Sequence, residues 1–327
     1  MASRDEKERQ GIERRLDRLD RIEPMLGDAG EHLQTAGRLP EEVRIRSRFV
    51  RRTTPASSDA SDRKLPPRPE RPPAMRLLSP RGIALRLYMI ALCEAQSRAR
   101  SGETASNDRR LVAGGEETGW IDLVAAPVQA EGRGATLISR ADKKRRMLTS
   151  ALDALSHQEV QLVHLPKGDH PKAREKYEKF RLLDEGGARG GEVPYYVRPP
   201  KEERNVFSLP STLFTNGWIH LLENTELAFL MMIANEMRSQ GQFVKISGNS
   251  RILYYGFGRD AYKAHLTLAR FGLIHVVIAE NRFWDMKVKD YGEGGEAMLH
   301  AFSMIRSGFD QAALPVIRKA LKTELAT

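Results

Sequence analysis

The spacing of apolar and polar residues between positions 224 and 291 predicts a run of short helices and strands. Leu227, Leu230, Met231 and Ala234 follow the i, i+3, i+4, i+7 spacing of the buried face of a helix. The elements predicted after it are a strand at 243–246, a short helix at 249–255, a basic helix at 259–271 and a hairpin of two strands at 275–279 and 283–289. The order is therefore helix, strand, helix, helix, strand, strand.

A weaker form of this pattern occupies residues 76–204. An apolar helix around residue 89 precedes a predicted strand at 120–124, a basic helix at 139–155 and a strand at 161–165. Residues 195–197 are the candidate partner of that last strand, across a long insert. The buried face of the basic helix is predicted to consist of Leu148, Ala151, Leu152 and Leu155.

Residues 1–75 differ in composition from the rest of the chain. The charged segment 3–23 has a narrow apolar stripe that favours a single solvated helix over half of a short coiled coil. Segment 53–73 is rich in Pro, Ser and charge, which predicts a disordered linker because little apolar surface offsets the ordering entropy. Five arginines precede this linker, and we interpret them as a flexible arm on phosphate backbone, with a solvated tail as the alternative. They are Arg44, Arg46, Arg48, Arg51 and Arg52.

Composition narrows the class of protein. The chain has 327 residues, enough for two domains, and a net charge of +10, which favours polyanionic partners. Cys93 is the only cysteine, so a disulfide within the chain and a cysteine-based zinc site are excluded. The N-terminus is too charged to be a signal peptide, and the longest apolar run is far shorter than the roughly 20 residues of a membrane span. We therefore expect a cytoplasmic protein.

The segment from Arg259 to Ile274 reads Arg-Asp-Ala-Tyr-Lys-Ala-His-Leu-Thr-Leu-Ala-Arg-Phe-Gly-Leu-Ile. Together with the strands after it, this phrase resembles the winged-helix superfamily of bacterial regulators. The resemblance implies that the basic helix enters the major groove of DNA and that the hairpin contacts phosphate or the minor groove. The layout of residues 78–290 is also similar to that of tandem winged-helix plasmid replication initiators.

Candidate DNA-contacting residues follow from the faces of the two basic helices. In 259–271 the inward positions are 261, 264, 268 and 271, and the outward candidates are Arg259, Tyr262, Lys263, Thr267 and Arg270. Arginine and lysine suit guanine or phosphate, whereas tyrosine and threonine suit phosphate or a thymine methyl. The candidate at the hairpin tip is Arg282. A solvated cationic helix in a protein–protein module is the alternative.

The first basic helix contributes a second set, which consists of Arg140, Lys143, Lys144 and Arg146. The run of cations at 143–146 lies at the start of the helix, where the helix dipole is positive. Such an arrangement costs stability unless an anion lies nearby, so it favours phosphate contact over a purely solvated run.

Motifs for catalysis, cofactors and metals are missing from the sequence. Segment 186–191 is glycine-rich but lacks the lysine and the strand–helix context of a phosphate loop, and we interpret it as an ordinary loop. His157, His164 and His170 lack metal-ligand spacing, and His265 is predicted to be a hydrogen-bonded core residue. We therefore expect no enzymatic activity, no cofactor and no metal.

The sequence predicts an α+β chain of two tandem winged helix-turn-helix units, mostly helical with short β-hairpins. The predicted boundaries are a charged helix and disordered basic arm at 1–75, the two units at 76–204 and 205–292, and closing helices at 293–327. The predicted function is sequence-specific double-stranded DNA binding, as a transcriptional regulator that could act as a homodimer on DNA. The alternatives are a replication initiator of a plasmid or mobile element and a scaffold whose winged helices bind other proteins.

Overall fold

A computed structural model of the chain describes residues 4–35, 37–57, 64–79, 82–114, 117–127, 139–166, 175–280 and 298–326. The α-helices are α1 (Arg4–Ile22), α2 (Leu26–Thr35), α3 (Pro73–Arg76), α4 (Ala84–Arg98), α5 (Arg140–Ser156), α6 (Glu175–Glu178), α7 (Thr212–Thr215), α8 (Trp218–Leu221), α9 (Asn224–Gln240), α10 (Arg259–Tyr262), α11 (Ala264–Arg270) and α12 (Ala313–Ala326). The strands are β1 (Glu42–Arg46), β2 (Val163–His164), β3 (Arg181–Leu182), β4 (Val206–Pro210), β5 (Val244–Lys245), β6 (Ile274–Val277) and β7 (Ala301–Met304). The mixed α and β composition agrees with the predicted class.

The segment predicted as a flexible basic arm contains an ordered strand, so that prediction is wrong. β1 pairs antiparallel with β4, from Glu42 opposite Pro210 to Arg46 opposite Val206. Val43 and Ile45 are buried beneath this pair. The partner strand lies far away in the sequence, and the local composition of 44–52 carries no sign of it. The predicted N-terminal helix is present as α1, but the prediction that it is solvated is wrong, because α1 packs against α12 and buries Leu19 and Ile22.

α9 forms the centre of the C-terminal part of the core. Glu223 caps its N-terminus in a reciprocal capping box with Glu226. The side-chain amide of Asn224 donates to the carbonyl oxygens of Ser79 and Gly82 at 2.7 and 3.0 Å. The four inward positions predicted for this helix are all buried, and so are most of its other residues up to position 236.

A three-stranded sheet, ordered β5-β7-β6, packs beside α9. β5, a π-helical turn at Ser250–Tyr254, the helices α10 and α11, and β6 occur in the predicted order. β7 is the central strand of this sheet and pairs with both β5 and β6, since Phe302 lies opposite both Val244 and Val276. Residues 301–304 were predicted to be helical, which is wrong. All four residues are buried, so the segment lacks the alternation of buried and exposed positions that distinguishes a strand from a helix. The predicted strand at 283–289 lies outside the described residues.

The predictions for residues 76–204 are confirmed in part. α5 buries Leu148, Ala151, Leu152 and Leu155 against α4, as predicted. Residues 120–124 make a turn rather than a strand. β2 pairs with β3 and not with residues 195–197. Tyr195 instead forms an isolated bridge with Leu183, the residue that follows β3. The hydrophobic core is one cluster that includes Ile45, Leu152, Phe229 and Phe309, and so combines residues from all four predicted segments.

Candidate nucleic-acid interface

The helices α10 and α11 place cations at the surface and apolar residues against α9 and β6. Ala264, Leu268 and Phe271 are buried, as predicted. Arg259 and Lys263 are exposed and lie one helical turn apart. The predicted single helix is interrupted at Lys263, which keeps helical backbone angles (φ −61°, ψ −14°) between α10 and α11. The two outward cations at this end of the predicted helix therefore do lie at the protein surface.

Tyr262 does not lie on this outward face, which corrects its assignment as a DNA contact. Its ring is half-buried, with its centroid 5.4 Å from that of Phe229 and 5.9 Å from that of Phe302. His265 lies beside it, fully buried, with Nδ1 2.7 Å from the Tyr262 carbonyl oxygen. Burial lowers the pKa of His265. The prediction that His265 is a hydrogen-bonded core residue is confirmed, and Tyr262 belongs to the same aromatic cluster.

The remaining outward candidates of α11 are restricted by their surroundings. Thr267 is half-buried. Arg270 is exposed but forms an ion pair with Glu324 of α12. An exposed ion pair of this kind contributes only about 0–1 kcal/mol, so a phosphate could compete for the arginine. Arg282, the predicted contact of the hairpin tip, lies outside the described residues and stays a prediction.

α5 presents only part of its predicted cationic set. Arg140 and Arg146 are exposed, and Lys143 is half-buried. The ammonium group of Lys144 donates to the carbonyl oxygen of Ile121 at 2.9 Å, and burial lowers its pKa. Lys144 therefore stabilises the packing of α5 on the preceding turn, which corrects its assignment to the DNA-contacting face.

The charge at the start of α5 is partly offset within the helix. The N-cap Ser139 accepts a hydrogen bond from the Asp142 amide, and the Asp142 carboxylate lies 3.2 Å from Arg145. An acidic side chain in the first turn stabilises the positive end of the helix dipole. The run of cations is thus a weaker indication of phosphate contact than the sequence suggested.

The arginines of the predicted arm are engaged with the folded protein. Arg46 has the most contacts, lying 2.7 Å from a carboxylate oxygen of Glu185 and 2.7 Å from one of Glu203, with 8% of its side chain exposed. Arg44 donates to the carbonyl oxygen of Lys201 at 3.1 Å. These two arginines hold β1 against neighbouring segments and are not available as a mobile phosphate-binding arm.

The other three arginines of this segment are also ordered. Arg48 forms an ion pair with Asp184. Arg51 stacks over the ring of Tyr254, with its guanidinium carbon 4.5 Å from the ring centre. Arg52 donates to the carbonyl oxygen of Thr54 at 3.1 Å. All three keep part of their side chains accessible to solvent.

Arg48, Arg51 and Arg52 line a cavity of about 290 Å³ together with Arg71, Arg76 and Arg189. We call these six residues the arginine cleft. No Asp or Glu lines this cavity among the described residues. The sequence indicated only the first three arginines, as a local cluster. No local signal connects them to Arg71, Arg76 or Arg189, because those residues join them only in the folded chain.

The cleft concentrates charge that is little neutralised. Burial lowers the pKa of Arg76, and the neighbouring Arg52 and Arg189 lower it further. Arg189 is affected in the same way by burial and by Arg48. Within the described ranges, Arg52, Arg71, Arg76 and Arg189 donate to backbone carbonyl oxygens, and none has a carboxylate within ion-pairing distance.

Other classes of site find no support in the described residues. They contain no group of three or more His, Cys, Asp or Glu side chains that could hold a metal ion. Cys93 is buried in α4, and burial raises its pKa. Over the same residues, no helix combines the length and the apolar character needed to cross a membrane.

Comparisons of the chain with family models, with curated proteins and with solved structures give no match.

Proposed function

We propose that this chain is a sequence-specific double-stranded DNA-binding protein that docks α10 and α11 in the major groove, and that it acts as a transcriptional regulator. One observation carries the proposal: Arg259 of α10 and Lys263, at the junction of α10 and α11, are exposed, while the opposite face of these helices packs against α9 and β6. Among the described residues from α9 to β7, the elements occur in the order helix, strand, helical turn, two short helices, strand, strand. This is the order expected of a winged helix, with α11 as its recognition helix.

The spacing of the two cations suits a groove. Residues four apart on a helix lie about 6 Å apart along its axis, close to two base-pair steps at about 3.4 Å each. Arginine and lysine bind guanine O6 and N7 or a backbone phosphate. Arg259 and Lys263 would therefore contact positions about two base pairs apart in one half-site.

The second docking helix of the proposal is α5. α5 exposes Arg140 and Arg146 and is followed by the antiparallel pair β2–β3. In the proposed complex these two arginines contact backbone phosphates and add to affinity without adding specificity. The basic net charge of +10 favours the same polyanionic partner.

The proposal is tested by fluorescence anisotropy on a duplex selected from a random-sequence library. Arg259→Ala and Lys263→Ala should each weaken specific binding by ~1–3 kcal/mol, or roughly 5- to 150-fold in Kd, if each reads a base. Lys201→Ala is the matched control, because Lys201 is an exposed lysine in the turn before β4. It should leave the affinity unchanged.

Two results would refute parts of the proposal. Failure of the wild-type chain to bind any duplex at low salt would exclude DNA binding and favour the protein-scaffold alternative. Specific binding that survives both substitutions would show that α10 and α11 are not the docking face. Footprinting then distinguishes a transcriptional regulator from a replication initiator. Protection of the promoter of the protein's own operon supports a regulator, and protection of iterated repeats near an origin supports an initiator.

A further inference from the structure

We propose that the arginine cleft binds a small ligand that carries consecutive phosphate groups, of the oligophosphate class. The cleft is formed by residues of three separate segments, namely 48–52, 71–76 and 186–189. It includes no residue of α10 or α11, so the inference does not depend on the proposed DNA-docking face. Arginine is suited to such a ligand because its planar guanidinium binds phosphate oxygens in a bidentate manner.

Backbone contacts hold the cleft in place before any ligand binds. The amide of Arg52 donates to the Tyr254 carbonyl oxygen at 2.9 Å. Arg76 is 9% exposed and donates to the carbonyl oxygens of Arg71 at 2.6 Å and Glu159 at 2.5 Å. Because these groups are already ordered, a ligand would bind without the entropic cost of assembling them.

The charge balance indicates how many phosphates the ligand carries. Arg52, Arg71, Arg76 and Arg189 form no ion pair with a carboxylate of the described residues. Burial and neighbouring arginines lower the pKa of Arg76 and Arg189, and Glu159 and Asp184 offset this only in part. One phosphate monoester supplies a charge of only about −1.5 to −2 at neutral pH. Two or three adjoining phosphates are needed to neutralise four guanidinium groups.

The already paired arginines lie beside these four and add further donors. Arg48 pairs with Asp184, and Arg51 lies 3.5 Å from a carboxylate oxygen of Glu236. The Nε of Arg48 is buried and has no hydrogen-bond partner in the described part of the chain. The hydroxyl-bearing residues Thr53 and Thr54 also line the cavity.

The shape of the site favours a small ligand over a duplex. The cavity of about 290 Å³ adjoins a second one, also of about 290 Å³, and the two share Arg48, Arg51, Arg52 and Arg189. The second cavity adds Arg238 and the carboxylate of Glu203. Cavities of this volume lie near the lower end of the range for small-ligand pockets. The arginines line one shared space and are not spread along an extended surface, as the regularly spaced phosphates of a duplex would require.

Sodium triphosphate is the probe for the test, titrated into the full chain by isothermal calorimetry at constant ionic strength. Wild-type protein should bind triphosphate and should not bind sulfate at the same concentration. Arg189→Gln should weaken binding about tenfold, and Arg189→Glu should abolish it. Arg189 is exposed and donates only to the Gly186 carbonyl oxygen, at 3.4 Å, so both variants should fold. Arg100→Gln removes an exposed arginine elsewhere and is the matched control.

Several outcomes would overturn the proposal. Absence of triphosphate binding, equal binding of sulfate, or binding that Arg189→Glu leaves unchanged would each exclude the cleft as an oligophosphate site. A loss of duplex affinity in Arg189→Glu, without triphosphate binding by the wild type, would show that the cleft holds a DNA backbone phosphate instead. Lys263→Ala should leave triphosphate binding intact, which separates this result from the test of the docking face.

Discussion

Replacing Arg46 with methionine would test whether the N-terminal arginines are structural. Arg46 joins β1 to the segments after β3 through Glu185, Glu203 and the carbonyl oxygen of Val197, all at 2.7–2.9 Å. Glu185 is completely buried. Methionine has a similar length but no charge, so the substitution removes the ion pairs while it keeps most of the packing volume.

We expect Arg46→Met to lower the free energy of unfolding by ~3–5 kcal/mol, since it leaves a buried carboxylate without its partner. Burial already raises the pKa of Glu185, against the opposing effect of Arg46. Without Arg46 this pKa rises further above its unfolded value. A carboxyl group with a raised pKa in the folded state lowers the free energy of unfolding as pH rises above about 4.3, the usual value in the unfolded chain. The free energy lost in Arg46→Met should therefore be larger at pH 8 than at pH 5.

Urea unfolding followed by circular dichroism measures this cost. Arg44→Met is the matched control, because Arg44 lies in the same strand and its guanidinium donates only to backbone carbonyl oxygens. The control should cost less than about 1.5 kcal/mol. The double variant Arg46→Met/Glu185→Met should recover most of the lost stability. If Arg46→Met costs no more than Arg44→Met, the first strand is not anchored as described, and a flexible arm is the better account.

Two further predictions concern the core. Burial, together with Arg86 and Lys144, lowers the pKa of His220 to about 3. Its pKa in the unfolded chain is near 6.5, so the unfolded state binds the proton first. The free energy of unfolding should therefore fall by ~1.4 kcal/mol per pH unit as pH drops from 6.5 towards 3. His220→Gln should reduce that slope in acid unfolding curves, and an unchanged slope would contradict the assignment. Leu268→Ala should cost ~2–5 kcal/mol by thermal or chemical unfolding, because Leu268 is fully buried behind the proposed docking face. The half-buried neighbour Leu266 is the control position, and an equal cost for Leu266→Ala would argue against this packing.

The parts of the fold that follow from local periodicity were predictable. The buried faces of α5, α9 and α11 agree with the sequence because a helix repeats every 3.6 residues whatever it packs against. His265 was also placed correctly in the core. Tyr262 was not, since its position at the edge of the helix leaves its direction to the aromatic partners Phe229 and Phe302.

The parts that depend on distant partners were not predictable. β7 lacks alternation, and its strand conformation comes from pairing with β5 and β6. Lys144 carries the same charge as its neighbours and differs only in meeting the carbonyl oxygen of Ile121. Its assignment to the outward face failed because helical spacing does not show which neighbouring turn covers a side chain.

The sequence by itself determined the α+β class, the inward faces of the main helices and the exposure of Arg259 and Lys263. These features depend on contacts between near neighbours, which the order of residues contains. The tertiary structure alone decided that the arginines at 44–52 are ordered, that Arg46 is buried between two glutamates, and that Arg48, Arg51 and Arg52 meet Arg71, Arg76 and Arg189 in one cleft. Charge interacts through space with whatever the fold brings within a few ångströms, and that proximity is not encoded in any single stretch of the chain.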